Sequence, residues 1–140
     1  MTEKYFIDSN VWLYMLQEED TNKYLIAKQF INDKISKRQL VISWQVINEV
    51  TCNLIRYKFP EKQIAVIIEW ICKIAYIENF TEELLIQASA FREKFPFSFW
   101  DSLIVSAALT SHCKYLISED MQNGQKIDGM TIENIFVALS

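Results

Sequence analysis

The chain has 140 residues, 51% of them hydrophobic, with two Gly and two Pro; this is material for one compact, helix-rich domain over residues 1–140, and it excludes disorder. Its 14 Lys and Arg against 18 Asp and Glu leave a net charge of −4, which excludes a protein held to nucleic acid by a general basic surface. The longest apolar stretch, Ile64 to Ile77, is interrupted by Glu69 and Lys73, so a membrane span is not expected, and MTEKYFID lacks the character of a signal peptide; a cytoplasmic protein is expected.

Taken in order, YFI reads as a short buried strand ending at Asp8, with Asp8, Ser9 and Asn10 as cap residues for a helix that opens with VWLYML. After the acidic break QEEDTN, Tyr24, Ala27, Ile31 and Ile35 recur at helical spacing up to the basic tail KISKR. LVIS is a second strand. Ser43 caps a helix from Trp44 to about Phe59, stopped by Pro60, and Glu61 to about Ile74 completes a helical hairpin.

AYIEN reads as a third strand, Thr81 as the start of a helix ending near Phe95 ahead of Pro96, and Ser98 as the opening of SFWDSLIVSAALTSHC. That last helix carries an apolar face at Leu103, Ile104, Ala107 and Ala108. KYLIS is a fourth strand, EDMQNGQKIDG a loop, and MTIENIF a final short strand. Strands alternating with helices imply an α/β fold of three layers, α/β/α, with a mostly parallel sheet of four to five short strands flanked by helices.

Cys52, Cys72 and Cys113 are odd in number and apolar in context, as reduced core thiols would be. His112, the chain's one histidine, lacks partners for a zinc site and reads as a helix-end residue. Asp128 before Gly129 reads as a turn residue. The four tryptophans read mainly as core.

Four acids carry the chemical interest. Asp8, Glu49, Asp101 and Asp120 each follow an apolar run or sit in a helix that opens just after one, and parallel strands deliver such positions to one edge of a sheet. Taken singly, Asp8 and Asp101 are explained by capping, Glu49 by a solvent-facing helix position and Asp120 by a turn. Together, four carboxylates at close range raise one another's pKa unless a cation compensates them, and all-oxygen ligands select Mg²⁺ or Mn²⁺ over zinc. Lys34, Lys37, Arg38, Arg56, Lys58, Arg92 and Lys94 remain as candidate phosphate contacts.

YFIDSNVWLY, SWQVINEV, FSFWDSLIVSAAL and LISEDMQNGQKIDGMTIEN together resemble the acidic motifs of the PIN domain (PilT N-terminus), particularly the VapC-type toxin ribonucleases of type II toxin–antitoxin pairs. The resemblance spans nearly the whole chain and departs from the pattern at Ile135, where relatives often have proline. It implies an endoribonuclease whose Asp8, Glu49, Asp101 and Asp120 hold one or two Mg²⁺ or Mn²⁺ ions, with a metal-activated water attacking phosphorus in line. Ser9, Asn10 and Ser118 fall where the family keeps small polar residues that orient the acids, and Glu119 stands beside Asp120 as the alternative fourth ligand.

The partners it implies are an RNA substrate, a small antitoxin gripped by the helical hairpin and a second copy in a homodimer. Two other readings stay open: a PIN-type nuclease of RNA maturation without an antitoxin, and a non-catalytic PIN-fold binding module. A phosphatase of the haloacid dehalogenase type is excluded because the position two after Asp8 is Asn10, and a receiver domain because no central phosphoacceptor Asp ends a strand.

Overall fold

In the computed structural model, which describes residues 2–139, the first apolar run forms β1 (Tyr5–Ile7) and Asp8 caps α1 (Ser9–Leu16) directly behind it. There follow α2 (Thr21–Ser36), β2 (Leu40–Ser43), α3 (Trp44–Arg56), α4 (Glu61–Ile74), β3 (Tyr76–Glu78), α5 (Glu82–Lys94) and α6 (Phe99–Thr110). The chain then forms β4 (Tyr115–Ile117), β5 (Lys126–Ile127) and β6 (Met130–Glu133). Ser43, Thr81 and Ser98 are N-caps as the sequence predicts, accepting the N–H groups of Val46, Leu84 and Asp101. Each cap satisfies a donor that the first helical turn leaves unpaired.

With so few glycines, three helices end on other residues. Arg38, Lys58 and His112 take φ of 54°, 63° and 60°, and the N–H groups of these residues and their successors bond back into the last turn, as Lys58 does to Ile55 and Phe59 to Leu54. His112 is thus the helix-end residue expected. The same closure stops α3 at Arg56, three residues before the expected Phe59: the left-handed Lys58, and not Pro60, terminates it.

The sheet runs β3-β2-β1-β4-β6-β5, parallel throughout except for the antiparallel β5–β6 pair. Six strands replace the four to five expected. The additional one, β5, lies inside the segment read as a loop; two residues leave no alternation to detect, and the pairing is set by the turn Asp128-Gly129. Both turn residues have positive φ, 47° and 87°, the geometry that matches the twist of a tight hairpin, so Asp128 is a turn residue as expected.

Chain direction explains the layering. From β1 through β3 the strands progress one way, with α1 to α4 as crossovers; β4 then returns to the far side of β1, and right-handed connection puts α5 and α6 on the opposite face. The central strands are covered on both faces: Phe6, Ile7, Ile42, Leu116 and Ile117 are fully buried, each worth about 1.5–3 kcal/mol. Helix α6 is buried at every position from Ser102 to Ala108, with the Ser106 hydroxyl donating to the Leu84 carbonyl.

Cys113 is in the core, where burial pushes its thiol up to about 12. Cys52 is not. The buried stripe of α3 is Val46, Ile47, Val50 and Leu54, and position 52 falls on the other side, exposed. Among the described residues no helix is long and apolar enough to cross a membrane.

Candidate active site

The strand order reverses between β1 and β4, because β2 lies on one side of β1 and β4, reached later, on the other. At such a point the connections leave the two strand ends in opposite directions and open a crevice between them. Asp8 follows β1 and Ser118, Glu119 and Asp120 follow β4, so both segments meet there; the Asp8 N–H donates to the Ile117 carbonyl at 2.9 Å. Asp8 is 6% exposed, with Oδ1 accepting the Ser9 N–H at 2.8 Å and Oδ2 the Ser118 hydroxyl at 2.9 Å.

Glu49 and Asp101 arrive from helices. The Ser9 hydroxyl donates to Glu49 Oε2 at 2.8 Å, joining α1 to α3, and Gln45, one turn earlier on α3, donates from Nε2 to Glu49 Oε1 at 2.9 Å. The same Gln45 nitrogen reaches the Trp100 carbonyl at 3.3 Å, which ties α3 to the first turn of α6 beside Asp101. Glu49 is therefore half-buried and held by donors from α1 and α3, not the freely solvated residue that its helix position alone would suggest.

Asp120 and Glu119 part company. Asn10 Nδ2 donates to Asp120 Oδ2 at 3.0 Å, while its Oδ1 accepts the Glu119 backbone N–H at 3.3 Å, so one amide holds the Asp120 side chain and the Glu119 main chain. Glu119 points to Tyr14, whose hydroxyl donates to Oε1, and to Lys23, which pairs with Oε2. That contact and the Tyr14 hydroxyl push the Lys23 ammonium up. Glu119 is thereby occupied, and Asp120 faces the other acids.

The acids also act on one another through charge. Burial pushes the Asp8 carboxyl up to about 6; the Ser9 and Ser118 donors oppose this, and the charges of Glu49 and Asp120 add to it. Asp101 is also raised, by burial first, against the pull of Ser98, and then by Asp120 and Glu49. All four acids thus share one electrostatic neighbourhood. Among the described residues none of them forms an ion pair with Lys, Arg or His.

Among the described residues no three or more His, Cys, Asp or Glu side chains are already gathered in a metal-holding arrangement. Each carboxylate is satisfied instead by a neutral donor from Ser, Asn, Gln or backbone, or stands in solvent. The donor set nevertheless fits a hard divalent cation: it is all oxygen, it carries several negative charges without a protein counter-charge, and one member is buried.

The structure does not bring the expected basic residues to this edge as a group. Lys34 and Lys37 pair with Asp33, and with Arg38 they lie at the end of α2 that feeds the start of β2, away from the strand ends where the acids meet. Arg92 sits beside the first turn of α6, donating to the Ser102 hydroxyl at 2.8 Å, with its guanidinium 5.4 Å from the Phe99 ring. Gln45, Tyr14 and Lys23 were not anticipated; of these only Gln45 left a trace in the sequence, as a residue one helical turn before Glu49.

Among curated proteins no sequence matches the chain. Solved structures do. A toxin–antitoxin complex from Klebsiella pneumoniae superposes with a TM-score of 0.72 at 17% identity, covering 94% of this chain and 98% of its own. VapC20 of Mycobacterium tuberculosis, described as a sarcin–ricin loop cleaving toxin, gives 0.67 at 18% identity over 84% of this chain and 92% of its own. VapBC2 of Rickettsia felis, bound to a DNA fragment from its promoter, gives 0.69 at 16% identity over 93% and 97%. At these identities the likeness establishes the fold. The sequence itself matches the PIN domain over residues 5–124, from β1 to the loop after β4, and the chain belongs to the PIN domain family.

Proposed function

We propose that the chain is a Mg²⁺- or Mn²⁺-dependent endoribonuclease that hydrolyses RNA phosphodiester bonds, and that it is the toxin of a type II toxin–antitoxin pair with a small antitoxin protein as its partner. The observation that carries the reading is the buried Asp8, linked through Ser118 to Asp120 and through Ser9 to Glu49, with no cationic side chain among the described residues paired to the group. Membership of the PIN family and the likeness to solved toxin–antitoxin complexes support it. Homodimerisation belongs to the same reading, and sedimentation of the purified chain measures it.

Asp8, Glu49, Asp101 and Asp120 would hold the cation. When bound, a divalent ion supplies a Lewis acid at the phosphoryl oxygen and lowers the pKa of water. The protein's own contribution is orientation. Ser118 and Ser9 fix the Asp8 carboxylate from both sides, Asn10 fixes Asp120, and Gln45 fixes Glu49. Asp120 is exposed, so the crevice is open to a phosphodiester from solvent.

The test is cleavage of total RNA by the purified chain. Mg²⁺-dependent cleavage that EDTA stops and Asp101→Asn abolishes is expected; cleavage surviving thorough chelation, or undiminished in Asp101→Asn, would overturn the reading. For the partner, the chain is expressed with and without the product of an adjacent small reading frame. Growth arrest relieved by co-expression, with the two proteins co-purifying, is expected.

A further inference from the structure

Three of the four acids are tied to one another: Ser118 links Asp8 to Asp120, and Ser9 links Asp8 to Glu49. That chain of hydrogen bonds stops short of Asp101. Where Asp101 lies depends on α6, which the side chains of Ser102, Ser106 and Thr110 bond to α5. Between α6 and α3 runs an open groove of about 730 Å³, lined by Gln45 and Glu49 from α3 and by Trp100 and Leu103 from α6, so the two helices are not packed together along this face. One side chain crosses it. Gln45 Nε2 donates to Glu49 Oε1 at 2.9 Å and to the Trp100 carbonyl at 3.3 Å, and Trp100 immediately precedes Asp101. Among the described residues no other hydrogen bond or ion pair joins α6 to α3, to α1 or to the segment after β4.

From this we infer that Gln45 is a positioning residue that holds Asp101 in register with Glu49, so that both acids serve one divalent cation. The inference rests on the metal-dependent reading of the site for what the acids hold. The bond to Glu49 alone would be an ordinary contact between residues one helical turn apart. The second bond, across to another helix, is what sets Gln45 aside, and the two acceptors fix which way the amide faces, because its oxygen in the same place would meet a carboxylate and a carbonyl. The chemistry of the side chain suits the task. A primary amide offers two donors and no charge, whereas Lys or Arg would pair with Glu49 and neutralise the charge a cation needs, and a carboxylate would repel both acceptors. Gln45 itself touches neither cation nor phosphate in this role; it acts through Glu49 and through the start of α6.

The experiment measures Mn²⁺ binding to the full chain by electron paramagnetic resonance of the free ion, which needs neither RNA nor cleavage. Gln45→Met keeps the length of the side chain and removes both donors; it is expected to bind Mn²⁺ about tenfold more weakly than wild type. Ser9→Ala frees Glu49 Oε2 but leaves the Gln45 bridge intact, and should lose clearly less. Gln45→Lys supplies a donor with a charge, so it should melt higher than wild type in EDTA and gain nothing from Mn²⁺. Asn48→Ala, at an exposed position of the same helix, should bind as wild type does. In RNA cleavage by Gln45→Met, the Mg²⁺ concentration for half-maximal rate should rise about tenfold while the rate at saturating Mg²⁺ stays within about twofold, a split that general loosening of the fold does not produce.

Mn²⁺ affinity in Gln45→Met or Gln45→Lys equal to that of wild type would overturn the role. So would an equal loss in Ser9→Ala, which would leave the tie to α6 without effect, or an equal loss in Asn48→Ala, which would make the change a weakening of α3 as a whole. The two proposals fail separately. A wild-type chain that binds Mn²⁺ about tenfold better than Gln45→Met yet leaves RNA intact keeps the positioning role and removes the nuclease, whereas RNA cleavage with the same Mg²⁺ dependence in both chains does the reverse. A wild-type chain that binds no Mn²⁺ overturns both.

Discussion

The Ser118 hydroxyl, fully buried at the end of β4, donates to Asp8 Oδ2 at 2.9 Å and accepts the Asp120 N–H at 3.3 Å. One side chain therefore sets the angle of a buried acid and the start of the segment carrying a second. Ser118→Ala removes both bonds without adding volume. The expected result is a loss of about 1–2 kcal/mol in stability and a fall of roughly tenfold in cleavage at limiting Mg²⁺, recovered in part at high Mg²⁺. A Mg²⁺ titration of the cleavage rate measures this; an unchanged titration curve would show that Ser118 only packs.

Asp8 makes the metal-free protein sensitive to pH. Its folded pKa of about 6 lies above the ordinary carboxyl value of 3.8, so between these values the folded state binds more protons than the unfolded one, and stability falls as pH rises through that window. Asp101 is shifted in the same sense. Asp8→Asn abolishes the Asp8 contribution and keeps a cap for α1. In EDTA at neutral pH the variant should be more stable than wild type by up to about 3 kcal/mol, the difference shrinking toward pH of about 4. Denaturant melts across that range decide it; a gap independent of pH would be inconsistent with the shift.

The strand-end positions of Asp8 and Asp120 were legible because apolar runs and cap residues mark strand ends and helix starts locally: YFI before Asp8, KYLIS before Asp120, and Ser43, Thr81 and Ser98 before α3, α5 and α6. The direction in which a side chain leaves a strand end is not local. Glu119 and Asp120 are neighbours of like charge, and what separates them is Tyr14, Lys23 and Asn10, about a hundred residues earlier. Trp44 and Trp100 were read as core because aromatic residues in apolar helices usually are. Only the approach of α3 to α6, joined by the Gln45 bond to the Trp100 carbonyl, reveals that these two rings face a groove.

That separation predicts two different phenotypes at adjacent positions. Asp120→Asn should lower cleavage by more than about a hundredfold with little change in stability, since Asn keeps the contact to Asn10 available. Glu119→Gln should lower it by less than about tenfold and destabilise the fold by about 1 kcal/mol, because Lys23 and Tyr14 lose a charged acceptor. Lys23→Met should do the same, and the double variant should be no worse than either single one. If Glu119→Gln were the more damaging to catalysis, the fourth acid would be Glu119, and the contact to Lys23 would have to open in the active state.

Cation binding can be read without activity. The acids repel one another in the metal-free protein, so an ion that binds only the folded state should stabilise it, by about 2.7 kcal/mol at a hundred times its dissociation constant. Mn²⁺ and Mg²⁺ should therefore raise the melting temperature of wild type, with Zn²⁺ less effective because the four acids offer only oxygen donors. Asp8→Asn should begin from a higher melting temperature in EDTA and gain little from Mn²⁺. Asp101→Asn should likewise lose most of the gain, whereas Glu119→Gln should keep it. The measurement is a thermal melt of each variant over a Mn²⁺ series, and an equal gain in wild type, Asp8→Asn and Asp101→Asn would place the cation somewhere other than among these carboxylates.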